Sequence, residues 1–182
     1  MTETPGKIDG VRVWQHLFLD AHLDRVRYPD GSEGEQGLIH HPGASAVGPF
    51  LSEIGGKDPQ VLLLKQYRYA VGETLWEIPA GRLEPAEAPL ACAHRELKEE
   101  TGCTAAKMEL LTSMWTTPGF TNEKIHIFLA TELTRGSANR ESDEFIEVVP
   151  TALTEALRMI ESGQITDGKT IIGLLFAAGF RA

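Results

Sequence analysis

Cysteine is nearly absent from the chain: Cys92 and Cys103 are the only two in 182 residues. That excludes a disulfide framework, and their spacing is not that of a thiolate metal site. Long apolar runs are missing too. "IIGLLFAAGF", near the C-terminal end, falls well short of the roughly 20 residues that cross a bilayer. Basic residues are scarce, with 17 Lys and Arg against 26 Asp and Glu and a formal net charge of -9. A protein of that charge offers no general basic surface to nucleic acid. The opening "MTETPGKIDG" is polar and has no signal-peptide core. These absences predict a soluble cytoplasmic protein with neither nucleic-acid nor membrane partners. If its substrate is anionic, something must offset the repulsion, and a divalent cation is the natural candidate.

What is present is ordinary for a globular chain: 42% hydrophobic and 24% charged residues. The length suits one domain, or a domain with an arm. Residues 11–51 alternate short apolar stretches with turn signals such as "YPDG" (Tyr28–Gly31), and predict two or three strands. "SEIGGKDPQ" reads as a hairpin loop. "VLLLKQYRYA" (Val61–Ala70) is nearly continuously apolar at first and predicts a central strand. "TLWEIPAG" (Thr74–Gly81) reads as one short strand entering a glycine turn, followed by a helix over about Ala86–Thr101. Strands follow at Met108–Thr117, Lys124–Leu133 and "FIEVVP", around a polar loop at Arg135–Glu144. Thr151–Gly163 reads as a helix with a Thr cap and a glycine stop, and a second helix closes the chain. The order implies an α/β (α+β) fold with a mixed sheet.

The helix after Gly81 poses the chemical question. Glu96, Glu99 and Glu100 stand within five residues. At about 100° per residue, Glu100 lies roughly 40° from Glu96, and Glu99 roughly 60° on the other side. The three share a sector, where like charges repel. Leu90, Ala93 and Leu97 form a neighbouring sector that can pack on a sheet. An acidic solvated face explains such a pattern in most helices. Here the cluster follows a strand and a glycine turn, with Glu87 and Arg95 framing it, and clustered hard oxygens suit Mg²⁺ or Mn²⁺.

Gly81, five residues, Glu87, seven residues, Arg95-Glu96-Leu97, one residue, Glu99-Glu100, one residue, Gly102, then Cys103 resembles the Nudix box. Cys103 departs from the usual aliphatic residue, but a buried Cys acts as a small hydrophobe. The resemblance implies a Nudix α/β/α sandwich that hydrolyses a nucleoside diphosphate linked to another group. It implies Glu96 and Glu100 as main metal ligands, and Glu99 as a further ligand or water-orienting group. The backbone carbonyl of Ala80 is implied as another ligand. Glu87 and Arg95 would support the site as an ion pair, and Gly81 and Gly102 are structural positions of the motif. "LWEIPAGRLEP" and "TTPGFTNEKIHIFLA" resemble the ADP-ribose pyrophosphatase group, whose marker proline corresponds to Pro118, fifteen residues beyond Cys103.

That group implies further roles. Arg68 matches an arginine implicated in ligand binding. Trp76 offers a stacking face or a core aromatic, and Glu77 a supporting carboxylate or a partner buried against Arg68. A loop glutamate, Glu144 with Glu141 next, would handle the attacking water. Residues 1–43 are expected to form an N-terminal β arm exchanged in a homodimer, and 44–182 the Nudix hydrolase domain. The substrate expected is ADP-ribose, with an ADP- or GDP-hexose as an alternative and a non-catalytic nucleotide-sensing module as another. His40-His41 invites a metal reading, but no third ligand is evident; His94 and His126 read as surface or sheet residues, and Cys92 as a small buried residue.

Overall fold

A computed structural model describes residues 4–52, 55–137 and 145–179. Its elements run β1 (Gly6–His16), β2 (Leu19–Arg27), β3 (Glu33–His40), β4 (Ala44–Pro49), β5 (Gln60–Arg68), β6 (Glu73–Glu77), β7 (Ala80–Arg82), α1 (Pro89–Thr101), β8 (Cys103–Trp115), β9 (Lys124–Arg135), β10 (Ile146–Ala152), α2 (Leu153–Glu161) and α3 (Gly168–Ala177). The chain divides into two compact units. One reaches to Gly43 and includes Met114–Lys124; the other holds Ala44–Ser113 and the residues from Ile125 onward.

The first unit is an antiparallel meander ordered β1-β2-β3. Its turn at Tyr28–Gly31 forms as the sequence predicts, with Gly31 at φ +86 and its N–H donated to the Tyr28 carbonyl. Opposite charges line the β1–β2 pairing: Lys7 meets Asp24 at 2.7 Å, and Arg25 meets Asp9. Ile39 donates its N–H to the Phe120 carbonyl, so the 114–124 segment is stitched to β3. Among the described residues up to Pro49 there are four strands, not two or three. β1 was illegible because nearly all its residues are exposed, leaving no alternation of apolar and polar.

The second unit holds two sheets, ordered β10-β5-β6 and β7-β4-β9-β8. β4 runs parallel to β9 and antiparallel to β7. Small residues fill β4, and all six of its positions are buried. β5 is central, as its apolar run requires, paired on both sides. A core of Val47, Leu62, Ala93, Leu97, Cys103, Phe128 and Ala130 joins α1 to the strands. α1 packs on β4 and β7, and α3 packs on β4 and β6.

Several local expectations are corrected. "TLWEIPAG" is two strands in different sheets, β6 and β7, because Pro79 intervenes and gives its carbonyl to the N–H of Val47. α1 starts at Pro89, with Ala86 at φ +63 before it, and stops where Gly102, at φ +74, returns its N–H to the Lys98 carbonyl. Leu90 is 46% exposed, so the packing flank is Ala93 and Leu97 without it. Thr151 is the penultimate residue of β10, paired with Val61, not a cap. The expected hairpin loop instead connects β4 and β5, which lie in different sheets; among the described residues their ends pair only at an isolated Phe50–Val61 bridge. α2 is capped from that loop: Asp58 accepts from the Thr154 N–H and hydroxyl. Among the described residues no helix is long and apolar enough to cross a membrane.

Candidate active site

The site lies where α1 meets β7. Register pins β7 first, with Ala80 opposite Ala46 and Gly81 opposite Ser45. The segment leading into it is then held one residue at a time. Glu77 accepts from Arg68, Ile78 donates its N–H to the Thr170 hydroxyl at 2.9 Å, Pro79 accepts from Val47, and Ala80 donates to Glu100 Oε2 at 2.9 Å.

Glu96 and Glu100 face inward, at 7% and 2% exposure, while Glu99 is only partly covered. Burying carboxylates is costly unless charge and hydrogen bonds compensate. Arg95 supplies much of that. Its Nε and Nη2 fork onto Glu87 at 2.9 Å each, and its Nη1 reaches Glu96 at 2.5 Å and Glu99 at 3.1 Å. Nη2 also donates to the Arg82 carbonyl, tying helix to strand. The hydrogen bonds from Arg95, against the opposing effect of burial and with help from the Glu84 N–H, hold Glu87 at about 2. The repulsion seen in the sequence is thus partly met within the chain, by one guanidinium shared among three carboxylates.

Gly81 makes this approach possible. A Cβ there would stand 2.0 Å from Glu96 Oε1. Cys92 is buried beside the Gly81 and Arg82 carbonyls, to which its thiol donates. Burial first, then the charges of Glu96 and Glu87, push that thiol up to about 11, so it stays protonated. It is the small buried residue expected, and Cys103 is buried likewise.

Glu77 is 2% exposed and carries more than one partner. Arg68 forks onto it with Nε and Nη2, both at 2.7 Å, and Lys169 Nζ reaches Oε2 at 2.5 Å. Burial alone would raise this carboxyl, but Arg68 and Lys169 together hold it at about 2. Lys169 escaped the sequence reading because it lies 92 residues away with no spacing signal. Gln66 escaped it too: on the same face of β5 as Arg68, it keeps Oε1 buried without a hydrogen-bond partner among the described residues. Trp76, on β6, has Lys65 Nζ 4.7 Å above its ring. Pro118 is exposed and belongs to the other unit. Glu141 and Glu144 lie outside the described residues.

Among the described residues no group of three or more His, Cys, Asp or Glu converges, as the side chains stand, on a cation position. The donor set nevertheless fits a hard divalent ion. Two carboxylates buried on one helix, with a glycine cradle beside one of them, offer oxygen ligands of the kind such ions prefer.

A family model described as "NUDIX domain" matches residues 40–171. An ADP-ribose pyrophosphatase of Bacillus subtilis (strain 168) is 40% identical over 167 residues, covering 91% of this chain and 88% of the relative. A methanol dehydrogenase activator of Bacillus methanolicus is 37% identical over the same length and with the same coverage. A solved structure of an ADP compounds hydrolase superposes with a TM-score of 0.81, covering 98% of this chain and 94% of the other at 17% identity, which speaks to the fold.

Proposed function

The chain belongs to the Nudix family, and from that premise we propose that it hydrolyses the pyrophosphate bond of a nucleoside diphosphate sugar, ADP-ribose before others, to AMP and ribose 5-phosphate. The observation that carries the reading is a box with all its carboxylates, seated where α1 meets β7, in a chain that matches an ADP-ribose pyrophosphatase over nearly its whole length.

Mg²⁺ or Mn²⁺ would be held by Glu96 and Glu100, with Glu99 and the Ala80 carbonyl as further donors, and would supply charge for the phosphates and a more acidic water. The chain's own residues do the rest. Arg95 holds Glu96 and Glu99 in place, and the Ala80 N–H does so for Glu100. Arg68, oriented by Glu77, directs a cationic edge toward the substrate anion. Gln66 Oε1 offers an acceptor to a substrate N–H or hydroxyl. The free face of Trp76 stacks on a ring, and Pro118 marks the loop that contacts the substrate. Water attacks one phosphorus, the bridging P–O bond breaks, and the water proton passes to a loop carboxylate, Glu144 in our assignment and Glu141 next. We also assign a cytoplasmic homodimer without nucleic-acid or membrane partners.

The test is an incubation with Mg²⁺ and a panel of ADP-ribose, ADP-glucose, GDP-mannose and NAD, with products separated by chromatography. AMP and ribose 5-phosphate from ADP-ribose are expected. Preference for a hexose would move the substrate, and no product from any of them would point to a sensing module. The likeness to a methanol dehydrogenase activator favours a second reading, in which the same hydrolase modulates a partner dehydrogenase. Adding the chain to methanol dehydrogenase and following methanol oxidation separates the two.

A further inference from the structure

Glu77 is one buried carboxylate shared by two cations, one 9 residues before it and the other 92 residues after it. Lys169, in the first turn of α3, is itself only 11% exposed on its side chain. Its Nζ reaches Glu77 Oε2 at 2.5 Å, the same oxygen that receives Arg68 Nη2 at 2.7 Å. Asp167 sits behind Lys169 at 3.0 Å and also caps α3 through the Thr170 N–H and hydroxyl. The Thr170 hydroxyl in turn receives the N–H of Ile78. The start of α3 is therefore bolted to the residues that lead into Ala80.

A buried cation needs a reason, because desolvation opposes it unless it is paired. Pairing with Glu77 and Asp167 is the local reason, and Glu77 already has a bidentate partner in Arg68. The four charges sum to zero, so Lys169 adds no net charge to the network. What it adds is geometry: its Nζ holds Glu77 Oε2, the oxygen that Arg68 Nη2 also binds, and so fixes the carboxylate onto which Arg68 forks. Arg68 is linked to the box through Glu77, which lies three residues before Ala80, whose N–H donates to Glu100.

We infer that Lys169 is a positioning residue: by sharing Glu77 Oε2 it fixes the carboxylate that Arg68 grips, and with it the orientation in which the guanidinium meets the anionic substrate. The inference rests on the hydrolase reading above. Lys169 touches no reacting atom; it acts through Glu77 and Arg68.

Two readouts test it. With ADP-ribose and saturating Mg²⁺, Lys169→Met should raise KM about tenfold, the order of one lost charge-assisted contact. kcat should stay within about twofold and Lys169→Arg should recover most of the loss. In ¹⁵N-labelled protein, the Arg68 Nε–H signal should exchange faster in Lys169→Met and stay protected in Lys169→Arg. Should Lys169→Met fail to fold, Lys169→Gln, which keeps an N–H donor but no charge, is read the same way. Wild-type KM with an unchanged Arg68 signal overturns the inference. So does a loss of active protein that follows the melting temperature at constant KM, since that is a purely structural role. A wild type that cleaves no nucleotide sugar would sink the substrate reading instead, and the Arg68 signal would then decide the inference alone.

Discussion

The backbone N–H of Ala80 donates to Glu100 Oε2 at 2.9 Å, joining β7 to α1 at the point where the carboxylates gather. Ala80 is itself held opposite Ala46, and its neighbour Pro79 accepts from Val47. The position of Glu100 is therefore set by sheet register, not by helix propensity. An amide at position 100 could still accept this hydrogen bond but would lose the charge.

That argument separates folding from chemistry. Glu100→Gln and Glu96→Gln should each lower turnover at least about tenfold, as loss of a ligand or of its support commonly does. Circular dichroism should be unchanged. A double variant with full activity would remove the role we give to the box carboxylates.

Gly81→Ala tests the cradle. The added Cβ would overlap Glu96 Oε1 and Cδ, at 2.0 and 2.1 Å. These atoms end a flexible side chain, so the carboxylate would swing away while the backbone stays. The expected result is a turnover loss of about tenfold with a melting temperature within about 4 °C of wild type, the equivalent of less than about 1 kcal/mol. Wild-type turnover would mean that the Glu96 position is not critical.

The comparison between sequence and structure follows the same division. The box was legible because eight residues stand at fixed separations, and the strand from Val61 because its opening apolar run, Val61–Leu64, demands burial on both faces. What escaped was long-range or exposed. Asp58 caps α2 from 96 residues away, and Lys169 meets Glu77 across 92. Neither leaves a periodic mark. β1 escaped because an exposed strand has no apolar face to read. The inward turn of Glu96 and Glu100 also escaped: helical angles place them in one sector but do not say that Arg95 and Gly81 let that sector be buried.

Acid should expose the Glu77 network. Its carboxyl is held at about 2 against an ordinary 4.5, so the stability it contributes is full above 4.5 and is lost as pH falls through about 2. The lowering corresponds to about 3 kcal/mol. Melting temperatures followed from about pH 6 to about pH 2 should fall steeply in wild type. Glu77→Gln should melt lower at neutral pH, because Arg68 and Lys169 lose their counter-charge, and show a shallower acid limb. The limb will not vanish, since Glu87 is also held at about 2 by Arg95. An acid limb of unchanged slope in Glu77→Gln would assign the acid sensitivity elsewhere.

The last prediction concerns assembly and starts from β1. This strand is an edge of the β1-β2-β3 sheet, eleven residues long and exposed along nearly its whole length. Val11, Val13, Trp14 and, just beyond the strand, Leu17 are all large apolar residues open to solvent. Long exposed edges carrying apolar side chains tend to pair with another chain, and a two-fold dimer is the commonest closed solution. Sedimentation at micromolar concentration should give roughly twice the 19.9 kDa chain mass. Val11→Lys combined with Val13→Pro places a charge on that edge and removes one of its N–H donors. That variant should sediment as a monomer, and its KM for ADP-ribose should rise if the arm completes the partner's base pocket. A monomeric wild type would end the dimer assignment. A variant that remains dimeric would move the interface away from β1, and a monomeric variant with unchanged KM would show that each subunit builds its own pocket.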